Sequence, residues 1–302
     1  SSKINEESRR ITFCQLGFFL MYNISYVDGI YQNYENSKVN INDRGYHFGD
    51  SVYEVVLFNE GIFYDFEGHL NRLFDSLSSI NIKFSFSKQS LKIIIKNLIK
   101  INRVSFGSVY IQVSRGIAER NHSYKDMNIK PLLSIIITKK QNNLSDEAIG
   151  VKAITLNDNR WSRPDIKTTQ LLPNVLAKTK ANNKGAFEGI FVDSEGYVTE
   201  GSSSNIWIIN NDNEIITRAI DGQILSGITR KSIAKFADLN DLIVKEKKFR
   251  KEELYESKEV FLSSASSFVT PIIEIDNIKI NNGEVGKMSV ELRKLYFKNF
   301  TK

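Results

Sequence analysis

The stretch "SRPDIKTTQLLPNVLAKTKANNKG", Ser162 to Gly185, carries four lysines: Lys167, Lys178, Lys180 and Lys184. It lies upstream of "GYVTEGSSSN", where Glu200 precedes the hydroxyls of Ser202, Ser203 and Ser204. A lysine amine becomes a nucleophile or base only after shedding its proton, which burial or neighbouring positive charge favours. Pro173 suits the first turn of a helix, here running from about Pro173 to Asn183. On that helix Leu172, Val175 and Leu176 mark the buried face, so Lys178, Lys180 and Lys184 read as solvent charges. Lys167 differs, because it follows "RPDI", an extended segment that can aim one side chain into a cleft. Local pattern alone still leaves two bland alternatives: a wet loop lysine, and a solvated turn glutamate at Glu200 beside Gly201.

The elements that must position these groups are legible in the hydrophobic pattern. "ISYVDGIYQN" and "VYEVVLFNEGIFYD" read as strands, the second with a hairpin signal at Asn59-Glu60-Gly61. "FEGHLNRLFDSLSSI" places Leu70, Leu73, Phe74 and Leu77 on one helical face, and Ser87 caps a second helix. "SVYIQVSRG" and "PLLSIIITKK" are strands. The polar "QNNLSDEAIG" then reads as a linker. Beyond it come "VKAITL", the lysine helix, strands "GIFVD", "SNIWII" and "EIITR", and a helix near "SGITRKSIAKFA". "EVFLSSASSFVTPIIEI" returns to sheet, and "GKMSVELRKLYFKNF" closes as an amphipathic helix. The expected organisation is an extension over 1–20, an N-terminal α/β domain over 21–140, a linker over 141–149 and a C-terminal α/β domain over 150–302. An α+β fold with a cleft between two domains follows, and such clefts favour ligands.

A chain of 302 residues with 41% hydrophobic and 25% charged residues has the composition of a globular protein. The net charge of +6 is spread along the chain without a Lys/Arg stripe interleaved with aromatics, which argues against nucleic acid as a partner. Cys14 is the single cysteine, so no internal disulfide forms, and a reducing, cytoplasmic setting is expected. His47, His69 and His122 show no zinc spacing, and no metal site is expected. "RRITFCQLGFFLMYN" loosely resembles a signal peptide but is too short to span a membrane. An ordinary strand or helix competes with that reading. The preferred one is a stretch upstream of a start at Met21.

Read together, "DRGYHFGDSVYEV", "HLNRL", "SRGIAERNH", "DIKTTQLLPNVLAK", "GYVTEGSSSN", "ILSGITR" and "VTPIIEIDN" resemble the class IV pyridoxal-phosphate aminotransferases. The blocks stand in family order from about Ile24 to Tyr296. The resemblance implies the fold-type IV architecture and a pyridoxal 5'-phosphate cofactor held covalently by Lys167, in agreement with the periodicity argument. It also implies Glu200 as partner of the pyridine nitrogen and Arg72 as a phosphate ligand. Because "SGITR" opens a helix, the N–H groups of Ile228 and Thr229 and the Thr229 hydroxyl can point at the same anion. Ser203, Ser204 and Leu225 fall beside the cofactor in the same comparison. The family often has a threonine where this chain has Ala265, whose backbone N–H remains, and Ser264 or Ser266 offers a substitute hydroxyl.

Arg120 and His122, two apart in "SRGIAERNHSY", match residues that in D-amino acid members reach across a dimer interface to the substrate carboxylate, with Tyr53 assisting. A guanidinium can grip a carboxylate through two parallel hydrogen bonds and so choose which face of Cα meets Lys167. Glu119 replaces a common proline there, and Ser51 a frequent glycine near Tyr53. The implied reaction is D-alanine plus 2-oxoglutarate to pyruvate plus D-glutamate, in a homodimer. The alternatives are an L-branched-chain aminotransferase and a lyase of the aminodeoxychorismate type.

Overall fold

The computed structural model describes residues 23–125, 127–141 and 147–299. The extension over 1–20, with Cys14, and Met21 lie outside the described residues, as does most of the expected linker.

The first half folds as a six-stranded, fully antiparallel sheet. Its strands are β1 (Ile24–Val27), β2 (Ile30–Asn33), β3 (Ser51–Asn59), β4 (Ile62–Phe63), β5 (Phe106–Ser114) and β6 (Leu132–Lys139), in the order β2-β1-β6-β5-β3-β4. The β3–β4 hairpin turns through Glu60 (φ 48°) and Gly61 (φ 83°), the left-handed pair that matches strand twist. Two helices cover one face: α2 (Phe66–Ser79) and α3 (Lys88–Asn102), while the short α1 (Arg44–Phe48) precedes β3. Leu70, Leu73 and Leu77 of α2, with Leu91, Ile95 and Leu98 of α3, recur at helical spacing and pack on Val52, Val56, Val109, Ile111 and Ile135. Ser87 Oγ accepts the Ser90 N–H at 3.0 Å, the N-cap its position predicts.

The second half is a nine-stranded mixed sheet: β7 (Val151–Asn157), β8 (Glu188–Val192), β9 (Val198–Gly201), β10 (Asn205–Ile209), β11 (Ile215–Thr217), β12 (Val244–Glu246), β13 (Glu259–Ser264), β14 (Phe268–Ile275) and β15 (Ile278–Lys279). Its order is β12-β11-β10-β13-β14-β7-β8-β9, with β15 paired to β14. The helices are α4 (Leu172–Asn183), α5 (Ile228–Asp238), α6 (Lys251–Glu256) and α7 (Lys287–Lys298). Trp207, Phe261, Ile233, Phe236, Leu292 and Tyr296 form a core between this sheet and α5 and α7, and Leu57, Tyr64 and Phe106 of the first half join it.

The halves are also sewn together by polar contacts. Tyr53 N–H donates to the Lys167 carbonyl at 3.1 Å, and Thr169 N–H to the Ser51 carbonyl at 3.1 Å. Asp65 accepts the Ser232 hydroxyl at 2.6 Å and the Tyr296 hydroxyl at 2.8 Å. Among the described residues no helix is long and apolar enough to cross a membrane, and no cluster of His, Cys, Asp and Glu could hold a metal ion.

The face assigned to α4 is wrong. Leu172, Val175 and Leu176 are 68%, 56% and 57% exposed, and the buried side is formed by Ala177 and Ala181. This helix lies close against β8, where the Gly189 position faces the Ala177 carbonyl, so small side chains mark its contact and large ones point outward. Lys178 is correspondingly not a free solvent charge. Its Nζ donates to the Phe187 carbonyl, lies 4.1 Å from the Phe187 ring centroid and is 3.7 Å from Glu188 Oε1. Lys180 and Lys184 are exposed as expected.

Candidate active site

A cavity opens where the two sheets meet, and residues from five of the seven quoted blocks line it. Lys167 sits in the loop before α4, held by the backbone bonds to β3 and by an isolated bridge between Thr168 and Val52. Its side chain is thereby fixed without belonging to a helix. Nζ lies 3.4 Å from Tyr53 Oη and 4.4 Å from the Tyr53 ring centroid. Ser51, the departure from the common glycine, adds a side-chain link from β3 to Thr169 of the same loop.

Glu200 is no turn residue: it lies on β9 and is 6% exposed. Its carboxylate accepts Arg160 Nη1, Asn205 Nδ2 at 3.1 Å and the Leu225 N–H at 3.1 Å. Burial pushes its pKa up to about 7, and the Arg160 charge only partly opposes that. Arg160 is itself gripped by Asp158, at 2.9 Å from Nε and 2.7 Å from Nη2. Leu225 therefore enters the site through its N–H. Asp158, Arg160 and Asn205 had no sequence signal, because their roles come from tertiary pairing.

Arg72 projects from α2 toward the loop before α5. Its Nε and Nη2 donate to the two oxygens of Glu54, at 2.6 and 3.0 Å, and Nη1 to the Ser226 carbonyl at 3.0 Å. His69 Nδ1 shares Glu54 Oε2 at 2.7 Å. Burial pushes the Glu54 carboxyl up, but Arg72 and His69 outweigh it and hold the pKa at about 2. Next to Arg72, α5 begins at Gly227 with no side-chain cap, so the first N–H groups, including Ile228 and Thr229, remain available to an anion. A Cβ at Gly227 would collide with Asn205 Oδ1, which explains glycine there.

Ser203 and Ser204 line the cavity, but their hydroxyls turn to buried Glu188, at 3.2 and 2.9 Å from Oε2, as does that of Ser202. Ala265 also lines the cavity, beside Ser264 and Ser266. The Ser264 hydroxyl is engaged with Ser267 at 2.6 Å. Tyr53 is in the cavity; Arg120 and His122 are not. They stand exposed on the loop after β5, flanking the Phe48 ring at 5.2 and 5.4 Å. The chain thus gathers Lys167, Glu200, Arg72, Tyr53, Leu225, Ile228 and Thr229 in one cavity and leaves the Arg120/His122 pair outside it.

This donor set fits a pyridoxal phosphate: an amine, a buried carboxylate for a ring nitrogen, and a guanidinium beside an uncapped helix start for a phosphate. Comparison with known proteins agrees. The model of the amino-transferase class IV family matches residues 51–275. A D-alanine aminotransferase of Listeria monocytogenes is 38% identical over 270 residues, covering 89% of this chain and 93% of the relative. One from Bacillus licheniformis is 40% identical over 251 residues, covering 83% and 88%. Among solved structures, the Escherichia coli branched-chain amino acid aminotransferase superposes with a TM-score of 0.84 at 23% identity, over 93% of this chain and 95% of that one. At that identity the likeness speaks for the fold.

Proposed function

The chain belongs to the class IV aminotransferases and is a pyridoxal-phosphate-dependent enzyme; from that premise we propose that it transaminates D-amino acids, with D-alanine as donor and 2-oxoglutarate as acceptor. The observation that carries the transamination is the convergence of Lys167, Glu200 and Arg72 on one cavity at the seam of the two sheets. The D-alanine aminotransferases similar to this chain, and the Arg120/His122 pair, support the choice of substrate.

In this reading Arg72 and the N–H groups of Ile228 and Thr229 hold the cofactor phosphate, and Glu200 pairs with the ring nitrogen. The cofactor supplies an electron sink for the charge left when the substrate Cα loses its proton. Lys167 Nζ would hold the cofactor covalently and would carry that proton on one face of Cα. Tyr53, 3.4 Å from Nζ, orients the amine and borders the substrate position. Arg120 and His122 take the substrate carboxylate. They stand outside the cavity of their own chain, so they serve the partner's site in a homodimer working in the cytoplasm.

Two measurements test this. Borohydride reduction of the loaded enzyme followed by peptide mapping places the pyridoxyl group on Lys167; a tag found only on other peptides refutes its role. Initial rates with D-alanine exceed those with L-leucine when 2-oxoglutarate is the acceptor. The reverse order would defeat the substrate assignment, and pyruvate released from aminodeoxychorismate without an acceptor would indicate the lyase.

A further inference from the structure

The loop with Arg120 and His122 is exposed, yet a carboxylate trap needs a fixed geometry. What fixes it lies in α1 and the residues around it. The loop is paired to the preceding segment through its backbone: an isolated bridge joins Asp43 and Ile117, Ala118 N–H donates to the Asn42 carbonyl at 3.2 Å, and Arg44 N–H to the Gly116 carbonyl at 2.9 Å. Beyond Ala118 side chains take over: Arg115 stacks on the Tyr124 ring at 3.7 Å, and Arg44 reaches the loop backbone itself. Arg44, 3% exposed, extends its guanidinium under the loop and donates from Nη1 to the Asn121 carbonyl at 2.6 Å and from Nη2 to the His122 carbonyl at 3.2 Å.

The clamp is itself held from behind. Arg44 Nε donates to Asp50 Oδ2 at 2.8 Å, and Asp50 is fixed by Arg115 through Nε at 2.7 Å and Nη2 at 2.9 Å. Arg115 is anchored in turn to the carbonyls of Ile80 and Asn81 after α2, at 2.7 and 3.1 Å. Phe48 completes the platform. Its ring lies 4.8 Å from Arg44 Cζ, 5.2 Å from Arg120 Cζ and 5.4 Å from the His122 ring centroid. A chain of part-buried, charge-assisted hydrogen bonds therefore runs from the end of α2 to the carbonyls of Asn121 and His122 beside Arg120.

We infer that Arg44 is a positioning residue for substrate specificity: its guanidinium clamps the carbonyls of Asn121 and His122 and so sets where Arg120 and His122 present their donors to the substrate carboxylate. The inference rests on the proposed role of Arg120 and His122. Arg44 does not touch substrate or cofactor. The clamp needs three donors in one plane, toward Asp50, Asn121 and His122, which the guanidinium fork supplies and an ammonium does not.

The test is Arg44→Lys in the cofactor-loaded enzyme, which keeps the charge and loses the fork. KM for D-alanine rises about tenfold, the loss expected for charge-assisted hydrogen bonds, while kcat changes little. The dissociation constant of propionate, a carboxylate without an amine, rises in parallel by absorbance titration of the bound cofactor. The cofactor spectrum stays as in the parent, and the half-reaction with an amine lacking a carboxylate keeps its rate. In an Arg120→Ala background the same change adds less, because only His122 is left to be positioned. A second variant guards against misfolding. Asn121→Ala removes only a surface hydrogen bond, from Ser123 N–H to Oδ1 at 3.0 Å, and shifts KM in the same direction by about twofold.

Unchanged KM in Arg44→Lys, or an equal loss with every amine or of the cofactor itself, overturns the clamp while leaving the proposed function standing. If instead Arg120→Ala leaves the D-alanine KM unchanged, the carboxylate trap is overturned, and the clamp with it. The single variants thus separate the two failures.

Discussion

Two buried glutamates, one in each sheet, meet opposite fates: Glu200 lines the cavity, whereas Glu54 does not and acts through Arg72, which does. Glu54 on β3 is 0% exposed and has both oxygens taken by Arg72 and one shared with His69. Glu200 on β9 is 6% exposed and is bound by one Arg160 nitrogen, a neutral amide and a backbone N–H. Burial raises both pKa values, yet the Glu54 carboxyl settles at about 2 and the Glu200 carboxyl at about 7. A two-pronged arginine plus an imidazole saturates a carboxylate. A single shared prong, with Arg160 pulled back by Asp158, does not. Glu54 is thus a completed anchor that aims Arg72, whereas Glu200 has electrostatic capacity left for one more cation. The proposed ring nitrogen fills that capacity.

The largest test breaks the anchor. Glu54→Gln leaves the half-buried Arg72 guanidinium at the cavity wall opposite a neutral amide, and losing a charge-assisted, two-pronged pair of this kind costs about 2–3 kcal/mol. Denaturant unfolding of the cofactor-free protein at pH 7 records this loss, and the variant also releases cofactor faster on dialysis. Stability within error of the parent would mean that Glu54 is no anchor.

Glu200→Gln has the opposite profile. Removing a charge that burial already disfavours leaves the cofactor-free protein as stable as the parent or more so. Turnover of the loaded enzyme falls by roughly 10²- to 10³-fold, as when a fixed electrostatic partner of developing charge is lost. A variant that is strongly destabilised yet turns over normally would erase the contrast between the two carboxylates.

The pH dependence carries the same contrast with opposite signs. A carboxyl raised from about 4.3 unfolded to about 7 folded binds a proton preferentially in the native state. Its contribution is complete below about pH 4.3 and is lost as pH rises through about 7, a decline of about 4 kcal/mol in the cofactor-free protein. Glu54, depressed to about 2, contributes above about pH 4.3 and loses that contribution as pH falls toward 2. Unfolding free energies measured from pH 4 to 8 should lose their downward slope in Glu200→Gln. A slope that persists would assign it to another group.

The comparison also explains what the sequence could disclose. Lys167, Glu200 and Arg72 sit in short blocks whose resemblance to the class IV family implied their roles, whereas residue type alone left a wet loop lysine and a solvated turn glutamate open. Glu54, His69, Asp158, Arg160 and Asn205 were not read as site residues, since a carboxylate on a strand or an arginine in a loop acquires its meaning from a partner remote in sequence. Arg72 was legible while the Glu54 that aims it was not. Periodicity located α2, α3 and α7 because large apolar side chains mark their buried faces. It misread α4, where Ala177 and Ala181 make the contact and the large residues face out. The short strand β9 was not read as a strand, and a turn stayed open as the bland alternative at Glu200, because "TEGSSSN" is polar, although Val198, Thr199, Glu200 and Gly201 are all buried. There a hydrogen-bonded network, and not hydrophobicity, fills the interior.

The smallest test addresses the neutral partner. Asn205 Nδ2 divides its donation between Glu200 Oε2, at 3.1 Å, and the Leu225 carbonyl, also at 3.1 Å. The Leu225 N–H returns to Glu200, so Asn205 bridges the carboxylate and the loop that carries it toward α5. A neutral donor shared in this way supplies about 1 kcal/mol, well below the contribution of a guanidinium. Asn205→Ala should therefore cost about 1 kcal/mol above pH 7, where Glu200 is ionised and needs the donor, and less at pH 5, where it is protonated. The pH at which the downward slope of stability ends should move upward, because the ionised form has lost a partner. Equal destabilisation at both pH values would make Asn205 a loop support acting through Leu225 alone. A loss as large as that of Glu54→Gln would remove the distinction between charged and neutral partners on which the two carboxylates' different roles depend.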